Sequence, residues 1–216
     1  MGLLKMGVPE KLTEIVREKY NIKSFVETGT YYGGTTLWAA QRFEKVFTIE
    51  NSKAIFDKTE SLRKDRKNIE FLFGNSKDHL KNIVPVLDGP AVFWLDAHWS
   101  GGETFGVEDE CPILEEIDTI NASSYSHIIL VDDARLFMKP PPKPHKAEQW
   151  PDISKVLEHL NQVKGRYCFI ADDVIGAVPA DAKDDLWPYF EEIIQMEQSL
   201  VPQPSLLGKI KSKLKI

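Results

Sequence analysis

Apolar residues along the chain alternate between two periods. From Val8 to Tyr20 they fall at Val8, Leu12, Ile15 and Val16, the spacing of one helical face, and SFVET follows as a short run with strand character. Thr35 to Phe43 then reads as helix, KVFTIE as strand, Ser52 to Arg63 as helix, IEFLF as strand, Ser76 to Val86 as helix and AVFWLD as strand. Pro112 to Ile120 reads as helix, HIILVDD as strand and Ile153 to Val163 as helix, before two closely spaced strands, YCFIA and VIGAV. KVFTI, IEFLF, AVFWL and HIILV are nearly unbroken apolar runs, as expected of parallel strands covered by helices on both faces. The pattern predicts an α/β fold: a Rossmann-like three-layer sandwich around a seven-stranded, mostly parallel sheet with an antiparallel hairpin at its C-terminal end. In such sheets ligands bind beyond the carboxyl ends of the strands, where the strand order reverses.

With 216 residues, 42% of them hydrophobic, the chain suffices for one sizeable core, so residues 1–200 are read as a single domain and 201–216 as a basic tail. The formal net charge is −6, but the tail carries Lys209, Lys211, Lys213 and Lys215 and no acid, which leaves −10 on the residues before it. So acidic a body is a poor match for nucleic acid, whose binding rests on neutralising phosphates. Cys111 and Cys168 form no CxxC or Cys/His pattern, so neither a disulfide framework nor a structural zinc is indicated. No apolar run approaches the ~20 residues of a transmembrane span, and MGLLKMGVPEKLTEIV lacks the apolar core of a signal peptide. A cytoplasmic protein with reduced thiols is expected. The tail segment SLLGKIKSKLKI reads either as a solvated terminus or as a weak contact for an anionic membrane surface or a partner. The proline-rich stretch from Met138 to Pro151 is either a lid over a site or a surface connection.

FVETGTYYGGTT runs from a strand through Glu27, Gly29, Gly33 and Gly34 into a helix. Gly29 can turn tightly or let backbone approach a ligand, and Gly33, Gly34, Thr35 and Thr36 stand where the helix begins, a place favourable to a carboxylate. The spacing E-x-G-x-x-x-G is neither a dinucleotide fingerprint nor a P-loop. The next strand ends in Glu50, where an acid can take both hydroxyls of a ribose.

With VETGTYYGG as a first motif, TIEN carrying an acid after the second strand, and the terminal hairpin YCFIADDVIGAV, the sequence resembles the class I S-adenosylmethionine-dependent methyltransferases over about Ser24 to Val178. The resemblance implies that Glu27, Gly29 and Gly33 lie against the methionine part of S-adenosylmethionine, Glu50 against its ribose, and Asn75 and Ser76 of GNSKD against its adenine. Asp96, at the end of the fourth strand, belongs to the same cofactor-binding set.

Asp96 closes the fourth strand, and Asp132 and Asp133 close the fifth. Neighbouring parallel strands lie about 5 Å apart, so if these two are adjacent their carboxylates converge and repel one another. A divalent cation would resolve the conflict, and an all-oxygen set favours Mg²⁺, Mn²⁺ or Ca²⁺. LDAHW and LVDDA are similar to the metal-binding segments of catechol-type and macrolide-sugar O-methyltransferases, which implies Asp96, Asp132 and Asp133 as metal ligands. The alternative for these aspartates is helix capping or an ion pair with Arg135. His98, two residues past Asp96, suits a general base that takes a proton from a hydroxyl; the alternative is a polar residue capping its loop. SGGETFG would then be substrate-loop backbone. Cys111 is expected to pack, His127 lies at the wrong edge of the sheet for the site, and Trp99, Phe137 and Trp150 form either a substrate wall or ordinary core.

Together these features imply a metal-assisted O-methyltransferase acting on a hydroxyl of a small molecule, a sugar or a glycosylated natural product. Two other classes stay open: a cofactor-binding protein without catalysis, and a hydroxylase-like or hydrolytic enzyme using the same carboxylates.

Overall fold

The structure is a computed structural model that describes residues 6–59, 62, 66–99 and 109–200. The apolar runs form the expected strands: β1 (Ser24–Thr28), β2 (Lys45–Glu50), β3 (Ile69–Phe73), β4 (Ala91–Leu95), β5 (Ile128–Val131), β6 (Arg166–Ala171) and β7 (Val174–Pro179). They make one seven-stranded sheet in the order β3-β2-β1-β4-β5-β7-β6. The first five strands are parallel, and β7 runs antiparallel to both β5 and β6. The chain builds outward from β1 to β3 and then returns to place β4 on the other side of β1, so the strand order reverses between β1 and β4.

Alternation along each buried strand divides the core into two layers, because successive side chains point to opposite faces. Phe93, Leu95, Ile129 and Val131 pack on one face with Ile117, Ile120 and Leu160. Val92, Trp94, Ile128 and Leu130 pack on the other with Leu12, Val16 and Leu186. The helices supplying these layers are α1 (Glu10–Lys19), α2 (Gly34–Ala39), α3 (Lys53–Lys58), α4 (Ser76–Ile83), α5 (Ile113–Asn121), α6 (Ala134–Phe137), α7 (Ile153–Leu160) and α8 (Lys183–Leu200). Side-chain caps fix three starts: Ser52 for α3, Asn75 for α4 and Asp152 for α7 each accept a backbone N–H of the first turn.

Several boundaries differ from the sequence pattern. The α2 helix stops at Ala39, four residues early, and α4 passes at Val84–Val86 into a 3₁₀ turn that carries Pro85. The expected extension of α3 to Arg63 falls mostly outside the described residues. The eighteen-residue α8 has no counterpart in the periodic reading, because Pro188 interrupts it and its start is acidic. It docks through Leu186, Tyr189 and Ile193, a stripe at helical spacing, against α1. No helix among the described residues is long and apolar enough to cross a membrane.

Candidate active site

Register places three predicted residues side by side. Thr28 pairs with Leu95, and Leu95 with Val131, so Gly29, Asp96 and Asp132 leave the sheet together. The ladder continues one step further, with the Asp96 amide donating to Thr28 O at 3.0 Å and the Asp132 amide to Leu95 O at 3.1 Å. At Gly29 φ is +88°, and a Cβ there would lie 2.3 Å from the carbonyl oxygen of Asp96, so only glycine fits between the two loops. Gly33, at φ +78°, caps the short α2 helix.

Glu27, Gly29 and Asp96 line a cavity of about 270 Å³, together with Thr30, Tyr32, Thr35 and Trp38 and with Gly7 and Val8 from the segment before α1. Glu27 is buried and accepts hydrogen bonds from the hydroxyls of Thr36 and Thr48. Burial pushes its carboxyl up to about 7 against those two bonds, and the charge of Glu50 adds to the rise.

Glu50 ends β2 with both oxygens engaged. One accepts the Tyr31 amide at 2.9 Å and the other the Ser52 amide at 2.7 Å, which ties the loop after β1 to the end of β2. Burial raises its pKa and the amides oppose the rise. A carboxylate offers about four acceptor positions, so further donors can still be met. Asn75 Oδ1 accepts the Lys77 amide at 3.0 Å, a helix-capping bond. Ser76 is buried, and its hydroxyl opposes the upward shift of the Glu116 carboxyl. Glu50, Asn75 and Ser76 stand outside the cavity lined by Gly29.

Beyond β4 and β5 the predicted His98 meets one of the aspartates directly. His98 Nε2 lies 2.8 Å from Asp133 Oδ2 and 3.9 Å from Asp96 Oδ1. Burial alone would lower the imidazole pKa, but the Asp133 bond and the charges of Asp96, Asp133 and Asp132 raise it overall. Burial also disfavours the Asp133 carboxylate, yet His98 and Arg135 hold its pKa below the usual value. The other two aspartates shift upward: burial raises Asp96 well above its ordinary range, and burial with the charge of Asp133 lifts Asp132 to about 6.

Arg135 is the second partner of Asp133 and bridges it to Asp173. Asp173 belongs to the β6–β7 turn, where both Asp172 and Asp173 adopt positive φ, as does Asp133 itself. The Asp173 carboxylate also accepts the Arg135 amide at 2.9 Å, and its carbonyl accepts the Ala134 amide at 2.7 Å. The hairpin turn thus fixes the start of α6 and, with it, the backbone of Asp133.

This arrangement bears on the expected metal ligands. Asp133 is shared between His98 and Arg135, and Asp132 Oδ1 accepts the Asp133 amide at 2.8 Å. Among the described residues no group of three or more His, Cys, Asp or Glu side chains is arranged to hold a metal ion. The ion pair with Arg135, the alternative reading of the aspartates, is the one present for Asp133.

Glu110 carries no sequence signal, being the last of three consecutive acids, yet it is 1% exposed and organises the site's outer wall. Its Oε2 accepts Trp150 Nε1 at 2.9 Å and the Lys146 amide at 3.0 Å, and its carbonyl accepts the Trp99 amide at 2.8 Å. These bonds clamp the proline-rich segment over His98, whose ring meets the edge of Trp150 with centroids 5.3 Å apart. Trp150 and Phe137 are buried core. Cys111 is buried, and burial pushes its thiol pKa upward, which suits packing. His127 sits at the opposite edge, with Nδ1 accepting the Ala91 amide at 3.0 Å and burial lowering its pKa to about 4. The segment SGGETFG lies outside the described residues.

No protein-family model matches the sequence, and no curated protein matches it. Solved structures share its fold. The O-methyltransferase TomG from Streptomyces achromogenes, involved in tomaymycin synthesis and in complex with S-adenosylmethionine, aligns at a TM-score of 0.55 with 15% identity, over 79% of this chain and 78% of that chain. An O-methyltransferase from Bacillus cereus in complex with S-adenosylhomocysteine aligns at 0.53 with 18% identity, over 79% of each chain. The methyltransferase PaMTH1 from Podospora anserina, bound to S-adenosylhomocysteine, aligns at 0.52 with 17% identity, over 78% of this chain and 77% of that chain. The fold predicted from the apolar pattern is therefore the fold of these methyltransferases.

Proposed function

We propose that the protein is an S-adenosylmethionine-dependent O-methyltransferase acting on a hydroxyl of a small molecule. One juxtaposition carries this reading: a glycine-floored cavity lined by Glu27, Gly29 and Asp96 opens at the strand ends beside the buried His98 and Asp133 pair. S-adenosylmethionine, when bound, supplies an electrophilic methyl on a cationic sulfonium. Carboxylates of Glu27 and Asp96 suit a ligand bearing an ammonium and a sulfonium, and Gly29 lets backbone approach it without a side chain between. The lone pairs that Glu50 retains suit ribose hydroxyls, with Asn75 and Ser76 beside the adenine.

Methyl transfer to a hydroxyl needs orientation and removal of one proton. His98 is the group proposed to take that proton. Asp133 holds the imidazole through Nε2, and Arg135 in turn anchors Asp133. A hard divalent cation at Asp96, Asp132 and Asp133 would share the Asp133 carboxylate with His98 and Arg135. The acceptor in this reading is a hydroxyl carried on a sugar or a glycosylated natural product. The association of TomG with tomaymycin synthesis supports a natural-product acceptor. A cytoplasmic location belongs to the same reading.

The test is incubation of the purified chain with S-adenosylmethionine and a panel of hydroxylated acceptors, following product mass. Gain of one methyl group with release of S-adenosylhomocysteine supports the reading. Gain of an oxygen atom instead would replace it with a hydroxylase.

A further inference from the structure

A groove of about 580 Å³ runs between the outer strand of the sheet and the last helix, and the chemistry above makes no use of it. Tyr167 and Phe169 of β6 lie on the same side of the sheet as Trp187, Phe190 and Ile194 of α8, which line it with them. Trp187 and Ile194 are 52% and 49% exposed, so apolar surface along the groove meets water, the usual mark of an interaction site. Among the described residues β6 is bonded to β7 alone, which leaves its outer edge open to another segment. The groove's lining includes Glu191 and Glu197 and no lysine or arginine, while its two buried aspartates are engaged, Asp172 by the Tyr189 hydroxyl and Asp173 by Arg135.

We propose that this groove is the docking surface for the chain's own segment 205–216, SLLGKIKSKLKI. The segment complements it in both respects. Leu206, Leu207, Ile210, Leu214 and Ile216 match the apolar walls, and four interleaved lysines with no acid match the carboxylates. Asp185 and Glu192 of α8 are taken up by Lys19 and Lys11 of α1 and stand outside the groove.

Chain geometry allows the return. Residues 201–216 can reach up to about 50 Å when extended, whereas Leu200 back to Trp187 along α8 is about 20 Å. Tethering gives the segment a high effective concentration, so modest contacts are enough. The carboxylates around the apolar surface disfavour an anionic membrane, and a second copy of the groove would set like charges together.

Hydrogen-exchange mass spectrometry on the full chain tests this, comparing wild type with the double variant Ile210→Asp, Leu214→Asp and with the charge variant Lys209→Glu, Lys213→Glu. The expected result is exchange at residues 166–171 and 187–197 that is roughly tenfold slower in wild type than in either variant. The difference should be independent of protein concentration and should shrink in high salt. Equal exchange in all three proteins overturns the proposal. Protection that grows with protein concentration would assign the groove to a second copy, and protection that appears only with phosphatidylglycerol vesicles would assign it to lipid; either result also overturns it.

Discussion

His98 Nε2 lies 2.8 Å from Asp133 Oδ2, joining the loop after β4 to the turn after β5. Each partner moves the other toward its charged form: the imidazole pKa is raised and that of Asp133 is lowered, in both cases against the effect of burial. The pairing therefore favours imidazolium with carboxylate, and in that form the imidazole must lose a proton before it can accept one.

Turnover should accordingly rise with pH through a midpoint above the ordinary histidine value, because only the neutral imidazole is a base. Asp133→Asn removes the stabilising charge and should move that midpoint downward. His98→Gln should lower kcat by roughly 10²–10⁴ while leaving S-adenosylhomocysteine affinity within a few-fold. An unchanged kcat in His98→Gln would remove His98 from the chemistry.

Asp173 acts on the site through Arg135 and the Ala134 amide. Asp173→Ala should therefore lower kcat with little change in KM and destabilise the fold by roughly 1–3 kcal/mol, the scale of a buried partner left unpaired. A kcat equal to wild type, measured on folded protein, would make the hairpin turn purely structural.

Two glycines in one motif should respond oppositely to alanine. At Gly29 the new Cβ would meet Asp96 O at 2.3 Å with φ at +88°, so Gly29→Ala should lose at least about 2 kcal/mol in denaturant unfolding. At Gly34, the first residue of α2, nothing lies within 4 Å, and Gly34→Ala should be neutral or stabilising by up to about 1 kcal/mol. Equal effects at both positions would contradict the close approach of the β1 and β4 loops.

Glu116 is buried, its Oε1 has no hydrogen-bond partner among the described residues, and burial pushes its carboxyl up to about 7 against the hydroxyls of Ser76 and Thr28. The folded form then holds a proton that the unfolded form releases near 4.5, so this contribution to stability is complete below about pH 4.5 and is lost as pH rises to about 7. Glu116→Gln should flatten that slope and stabilise the protein at pH 8 by roughly 1–3 kcal/mol. Thermal melts across this range would show an unchanged slope if Glu116 titrates normally.

The strands were legible because KVFTI, AVFWL and HIILV are buried and so carry their placement in composition alone, while IEFLF kept an apolar run although β3, at the sheet edge, is only partly buried. The α8 helix was not, since its contacts with α1 come from three residues split by Pro188. At the site, Gly29 and Glu50 announced themselves by position after a strand. Asn75 stood at the right place too, but its side chain caps α4. Glu110 and Asp173 act through partners about forty residues away in sequence, Trp150 and Arg135, and no local pattern encodes such a pairing. The β6–β7 turn held the one usable hint, two adjacent aspartates where a tight hairpin needs positive φ.

Calorimetric titration of the full chain with S-adenosylhomocysteine tests the central claim most directly. The structure predicts one saturable site, weakened by roughly 1–3 kcal/mol in Glu50→Ala, the scale of lost charge-assisted hydrogen bonds. Absence of saturable binding by the folded wild-type protein would contradict the methyltransferase reading and leave the cavity at Gly29 to another ligand.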